Sequence, residues 1–115
     1  MITGIVTVAV PVEDQQRALD FYVGTLGFEV RRDMPFGGGR WLEVAPPGST
    51  TTISLVGPGI PLGVRYATAD VDADHAALAA GGRADGSVLR MGAGVPAMFT
   101  ASDPDGNAFV VVGSA

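Results

Sequence analysis

The sequence predicts an α+β fold: two βαβββ modules forming a curved eight-stranded mixed sheet around a cavity, with the helices on its outer face. Three observations point there. Ile2 to Phe28, ITGIVTVAVPVEDQQRALDFYVGTLGF, reads as strand, tight turn, helix and glycine-marked exit. A weaker echo, GVRYATADVDADHAALAAGG, begins at Gly63. Three strand-like stretches then follow each unit, divided by glycine- and proline-rich turns.

The first strand spans about Gly4 to Val10, with Ile5, Thr7 and Ala9 facing one way and Val6, Val8 and Val10 the other. Asp14 is the candidate N-cap of a helix from Gln15 to Val23, whose Ala18, Phe21 and Tyr22 would lie over the valine face. Leu26, Gly27 and Phe28 lead into a second strand through Arg31, and Asp33 to Gly39 reads as a hairpin-like loop. Arg40 to Val44 and Thr50 to Val56 are the third and fourth strands, separated by the turn Pro46 to Ser49. The second module repeats the order. A strand from Val64 to Thr68 precedes a helix capped by Asp70 or Asp72, running to Ala80 and stopped by Gly81 and Gly82. Strands at Val88 to Met91, Pro96 to Ala101 and Ala108 to Val112 complete it, the last two joined by the turn SDPDGN. Residues 1–115 are thus expected to be one domain, with modules at 2–56 and 62–113 and a connector at 57–61. Neither half could cover its own sheet well, but side by side they leave a concave face to line a cavity.

A chain of 115 residues can hide about two-thirds of the surface its unfolded form exposes, so a core without staples is feasible. Cysteine is absent, which excludes disulfide and thiolate chemistry and favours a cytoplasmic setting. No apolar run approaches a bilayer span and no basic leader precedes the first strand, so neither a membrane nor export is expected. The net charge is −5 and all seven bases are arginines; with no basic stripe, a nucleic-acid partner is not expected. The charge is compatible with a cationic small ligand.

Two segments, AVPVEDQQRALDFYVGTLGF (Ala9 to Phe28) and SDPDGNAFVVV (Ser102 to Val112), resemble the vicinal oxygen chelate superfamily. That group includes glyoxalase I, extradiol dioxygenases, fosfomycin-resistance enzymes and bleomycin-binding resistance proteins. The resemblance spans nearly the whole chain and implies a U-shaped sheet around a pocket and a homodimer. It also implies four customary metal-ligand places, which fall here on Thr7, Ser54, Gly63 and Val110. Divalent metals there need imidazole or carboxylate donors, and none of these residues supplies one. A slip of one residue does not restore the set, since the neighbours are Val8, Ile53, Leu55, Val64, Phe109 and Val111. No metal and no cofactor is therefore expected.

Candidate ligand-binding residues follow from residue type and strand period. Trp41, Phe36 and Phe99 offer aromatic walls, with Met98 and Met34 as adaptable surface. Arg65 shares a face with Gly63 and either clamps an anionic or carbonyl group or sits at the sheet rim beside Asp70, Asp72 or Glu43. Thr7 and Ser54 offer hydroxyls. Glu43, on the same strand face as Trp41, is the weak candidate for a general base. Phe21, Tyr22 and Phe28 read as core, and the single histidine, His75, as a solvent-facing helix residue. The Gly37–Gly39 run is either a lid over the pocket or loop slack; it precedes no helix and no lysine, so it is no phosphate loop. The function expected is metal-independent binding of a small, partly aromatic organic molecule, with drug sequestration as its sharpest version. The alternative is a metal-free isomerase, cyclase or lyase acting on a small carbonyl compound.

Overall fold

The computed structural model describes residues 1–92 and 94–113. The chain order is β1 (Ile2–Pro11), α1 (Gln15–Asp20), a π turn (Phe21–Thr25), β2 (Glu29–Phe36), β3 (Gly39–Ala45), β4 (Thr52–Val56), β5 (Gly63–Thr68), α2 (Val71–Ala80), β6 (Ala84–Leu89), β7 (Met98–Ser102) and β8 (Ala108–Val112). The α+β expectation holds: the strands form a mixed eight-stranded sheet. The chain falls into two compact units, Thr7–Leu62 and Met1–Val6 with the residues from Gly63 onward.

In the Thr7–Leu62 unit the strand order is β2-β3-β4-β1. β1 and β4 run parallel, Thr7 opposite Thr52 and Ala9 opposite Ser54; β3 is antiparallel to β4, Glu43 opposite Ser54. Alternation then sorts the side chains. Leu42, Val44 and Leu55 point to one face, are fully buried, and pack with Val10, Ala18, Leu19 and Tyr22. Each such burial is worth about 1.5–3 kcal/mol. Glu43, Ser54 and Thr52 point to the opposite face.

Asp14 caps α1 as expected, accepting a hydrogen bond from the Arg17 N–H at 3.0 Å. The helix ends earlier than predicted, at Asp20, and widens into the π turn, where the Leu26 N–H reaches back to the Phe21 carbonyl at 3.1 Å. The inward, partly buried stripe is Gln15, Ala18, Leu19 and Tyr22, an i, i+3, i+4, i+7 set. Phe21 lies off that stripe and is half exposed, which corrects its expected place in the core. β2 is longer than predicted. Its pairing with β3 runs from Glu29 opposite Ala45 to Phe36 opposite Gly39. Only Gly37 and Gly38 form the turn, both at positive φ (55° and 84°), as a two-residue hairpin requires.

In the other unit the order is β5-β8-β7-β6. Phe99, Ala101 and Val111 make its core, packed against Val71 and Leu78 of α2 and against Val88 and Phe109. Asp70 is the N-cap, its side chain accepting from the Ala73 N–H at 3.0 Å, and Gly82 turns the chain out at φ 72°. His75 is not solvent-facing. It sits with Val71, Asp74 and Leu78 on the inward stripe of α2, edge-on to Phe99 with ring centroids 5.0 Å apart, and its Nε2 is 2.7 Å from the Gly86 carbonyl. β6 begins four residues before its predicted start. Gly86 at φ 80° and a register irregularity between Asp85 and Leu89 break the alternation that would have marked it.

The turn after β7 has a pH consequence. The Asp103 carboxylate accepts the Asn107 side-chain amide (2.9 Å) and the backbone N–H groups of Asn107 (2.8 Å) and Asp105 (2.9 Å). These bonds, the Asn107 side chain first, hold its pKa below the usual carboxylate value. A depressed carboxylate stabilises the fold above its unfolded pKa of about 3.9, and that stabilisation is lost as pH falls through the folded value. Asp103→Asn should therefore lose less melting temperature than the parent between about pH 5 and pH 2. Parallel acid profiles for the two proteins would refute the assignment.

Candidate functional site

Within the Thr7–Leu62 unit, the sheet face opposite α1 carries a polar row. The Trp41 indole Nε1–H donates to Glu43 Oε2 at 2.6 Å, and Thr52 Oγ1 donates to Glu43 Oε1 at 3.1 Å. Thr7 Oγ1 donates to the Thr52 carbonyl at 3.1 Å and shares a 2.7 Å hydrogen bond with Ser54 Oγ. The register explains the row, because parallel and antiparallel neighbours at matched positions share a face. The expected pairing of Trp41 with Glu43 is thus present as a direct contact. The carboxylate is held in one orientation by two donors.

Beside the row lies a cleft of about 410 Å³, walled by Phe36, Trp41, Val56 and Ile60, with Glu13, Gln15 and Arg40 as its polar lining and Gly37–Gly39 on its margin. Phe36 and Trp41 meet edge to face, centroids 5.7 Å apart and planes at 67°. Two predicted aromatic residues are therefore side by side on one wall. The glycine hairpin, read as a lid or as slack, lines the same cleft.

Gln15 escaped the sequence reading. Its Nε2 donates to the carbonyls of Arg40 (2.6 Å) and Leu55 (2.9 Å), and its Oε1 accepts the Arg40 N–H at 3.1 Å. One amide thus ties the helix start to β3 and β4 at the cleft's edge. The signal was available: a glutamine on the apolar stripe with Ala18, Leu19 and Tyr22 must find polar partners inside.

The remaining candidates lie elsewhere. Thr7 and Ser54 are almost fully buried and hydrogen-bonded to each other, and neither lines the cleft. Arg65 and Met98 belong to the other unit. Arg65 is 6 % exposed, and its Nη1 is 3.6 Å from Met98 Sδ. Phe99 does not share their surface. As successive strand residues, Met98 and Phe99 point to opposite faces, and Phe99 is fully buried against α2. Phe99, expected on a pocket wall, thus lies in the core of its own unit. Among the described residues no group of three or more His, Cys, Asp or Glu side chains could hold a metal ion, and no helix is long and apolar enough to cross a membrane.

Comparison with known proteins gives a family and several likenesses. The family model "Glyoxalase/Bleomycin resistance protein/Dioxygenase superfamily" matches residues 4–111. The fold is similar to the crystal structure of methylmalonyl-CoA epimerase from Mycobacterium tuberculosis, at 23 % identity over 99 % of this chain and 89 % of that one, with a TM-score of 0.79. TnmS3, an antibiotic binding protein from Streptomyces sp. CB03234, is 39 % identical over 99 % of this chain and 98 % of its own, with a TM-score of 0.47. The uncharacterized protein YetH of Bacillus subtilis (strain 168) is 48 % identical over 56 residues, 48 % of this chain. The match spans 47 % of YetH, so the chain covers about half of that relative's length.

Proposed function

Because the chain belongs to the glyoxalase/bleomycin resistance protein/dioxygenase superfamily, we propose that it reversibly binds a small, partly aromatic organic molecule in the cleft beside Trp41, without a metal. Sequestration of a drug by a cytoplasmic homodimer is the sharpest form of this reading. The observation that carries it is the cleft itself. Its volume of about 410 Å³ lies within the range of small-molecule sites, and one wall is an aromatic pair. Metal independence rests on donor chemistry: the positions where the family resemblance places ligands hold the hydroxyls of Thr7 and Ser54, bonded to each other.

Trp41 is the only tryptophan, so its fluorescence reports the cleft directly. Titration with a library of flat aromatic compounds should give saturable quenching for at least one. Trp41→Ala should then weaken that compound by about tenfold in calorimetry, the loss of one stacking contact. A library that quenches only linearly, as free collision does, would refute the reading.

A second reading has its own support in Glu43. A carboxylate fixed by Trp41 and Thr52 is placed as a positioned base, which suits proton abstraction beside a carbonyl. Solvent deuterium entering a bound carbonyl compound, and failing to enter with Glu43→Gln, would favour turnover over simple binding.

A further inference from the structure

The charges around the cleft select among ligands. Arg40 is the cleft's cation, and its guanidinium is engaged: Nε and Nη2 donate to the two oxygens of Asp33 at 3.1 and 2.8 Å, and Nη1 donates to Gln16 at 2.8 Å. The hydrogen bond from Arg40 holds Asp33 below the usual carboxylate pKa, and the same contact raises the arginine's. The pair is therefore charged on both sides and neutral in sum. Gln15 is likewise engaged through both ends of its amide. Glu13 differs. Its side chain is exposed on the cleft, and among the described residues it makes no hydrogen bond or ion pair. The cleft thus presents one uncompensated negative charge beside two aromatic rings, whose faces also attract cations. The net charge of −5 adds to the same field.

We propose that the ligand is an aromatic compound bearing a protonated amine, its ring against Trp41 and Phe36 and its ammonium at Glu13. This rests on the cleft being the ligand site. Three probes sharing one ring separate the two claims: 1-naphthylmethylamine, 1-naphthalenemethanol and 1-naphthoate. Binding is read by calorimetry and by the Trp41 indole N–H signal in NMR, which is unambiguous in a chain with one tryptophan. The amine should bind about tenfold tighter than the alcohol at low salt, with the naphthoate weakest, as an exposed ion pair and a cation–π contact together allow. Raising ionic strength should shrink that ratio, because exposed charges are screened within about 10 Å at 0.1 M. Glu13→Gln should bring it to about one. If amine and alcohol bind alike, or the naphthoate binds tightest, while the indole signal shifts saturably, the amine assignment is overturned and the cleft stands. If no probe shifts the indole signal, the cleft reading falls and the amine assignment with it.

Discussion

Gly63→Ala should lower stability by about 3–5 kcal/mol, among the largest single-site losses in this chain. Gly63 opens β5 at φ 97°, a conformation that a residue with a Cβ rarely adopts. The space is closed as well: a Cβ placed there would lie 2.4 Å from the carbonyl oxygen of Ala108. That oxygen belongs to the backbone of β8, whose parallel ladder with β5 sets Arg65 opposite Val110. It cannot swing aside as a side-chain tip could. Strain and clash therefore add, and relief requires the β5–β8 pairing to shift. At about 4–6 °C per kcal/mol for a domain of this size, the melting temperature should fall by roughly 12–30 °C. Urea melts of the two proteins are the check; an unchanged midpoint would mean that the backbone at Gly63 is not held as described. The same geometry bears on function. Gly63 is one of the places where the family resemblance puts a metal ligand. A histidine or glutamate there would meet the same carbonyl, so substitution at this position alone cannot build a metal site without moving the strand.

Much of the fold was legible because local signals and packing agree. Asp14 and Asp70 stand before helices and cap them; Gly81 and Gly82 end the second helix. Alternation placed Trp41 and Glu43 on one face, and the structure joins them. Failures occur where one local rule interrupts another. The π turn after Asp20 has no composition signature, so the periodicity predicts an α-helix to Val23 and places Phe21 in the core. Gly86 and the irregular pairing around it hid the start of β6. Asp33–Phe36 read as loop because Pro35 and three glycines dominate the segment, yet its register with β3 continues to Gly39. In both helices the inward stripe includes polar residues, Gln15 in α1 and Asp74 and His75 in α2. Pattern reading assigns such residues outward unless the i, i+3, i+4, i+7 set is followed strictly. The candidate site was legible only in part for the same reason. Residue type identified the aromatic residues, but which face each takes depends on strand alternation, which sets Trp41 beside Phe36 and turns Phe99 into the core of its own unit.

Phe99→Ala should cost about 3–5 kcal/mol of stability and leave the cleft's ligand affinity within about twofold. Phe99 is fully buried in the β5-β8-β7-β6 unit, against Ala101, Val111 and Leu78, with the His75 ring edge-on to it. Truncation removes a ring and leaves a void that Ala101 and Val111 are too small to fill. The cleft is lined wholly by residues of the other unit. Phe99→Leu keeps most of the volume and should cost under about 1.5 kcal/mol, so binding can be measured even where the alanine variant melts too low. The two aromatic residues should therefore separate cleanly. Substitution at Trp41 moves affinity more than melting temperature, and substitution at Phe99 moves melting temperature more than affinity. Weakened binding in a Phe99→Leu protein of parental melting temperature would return Phe99 to the ligand wall.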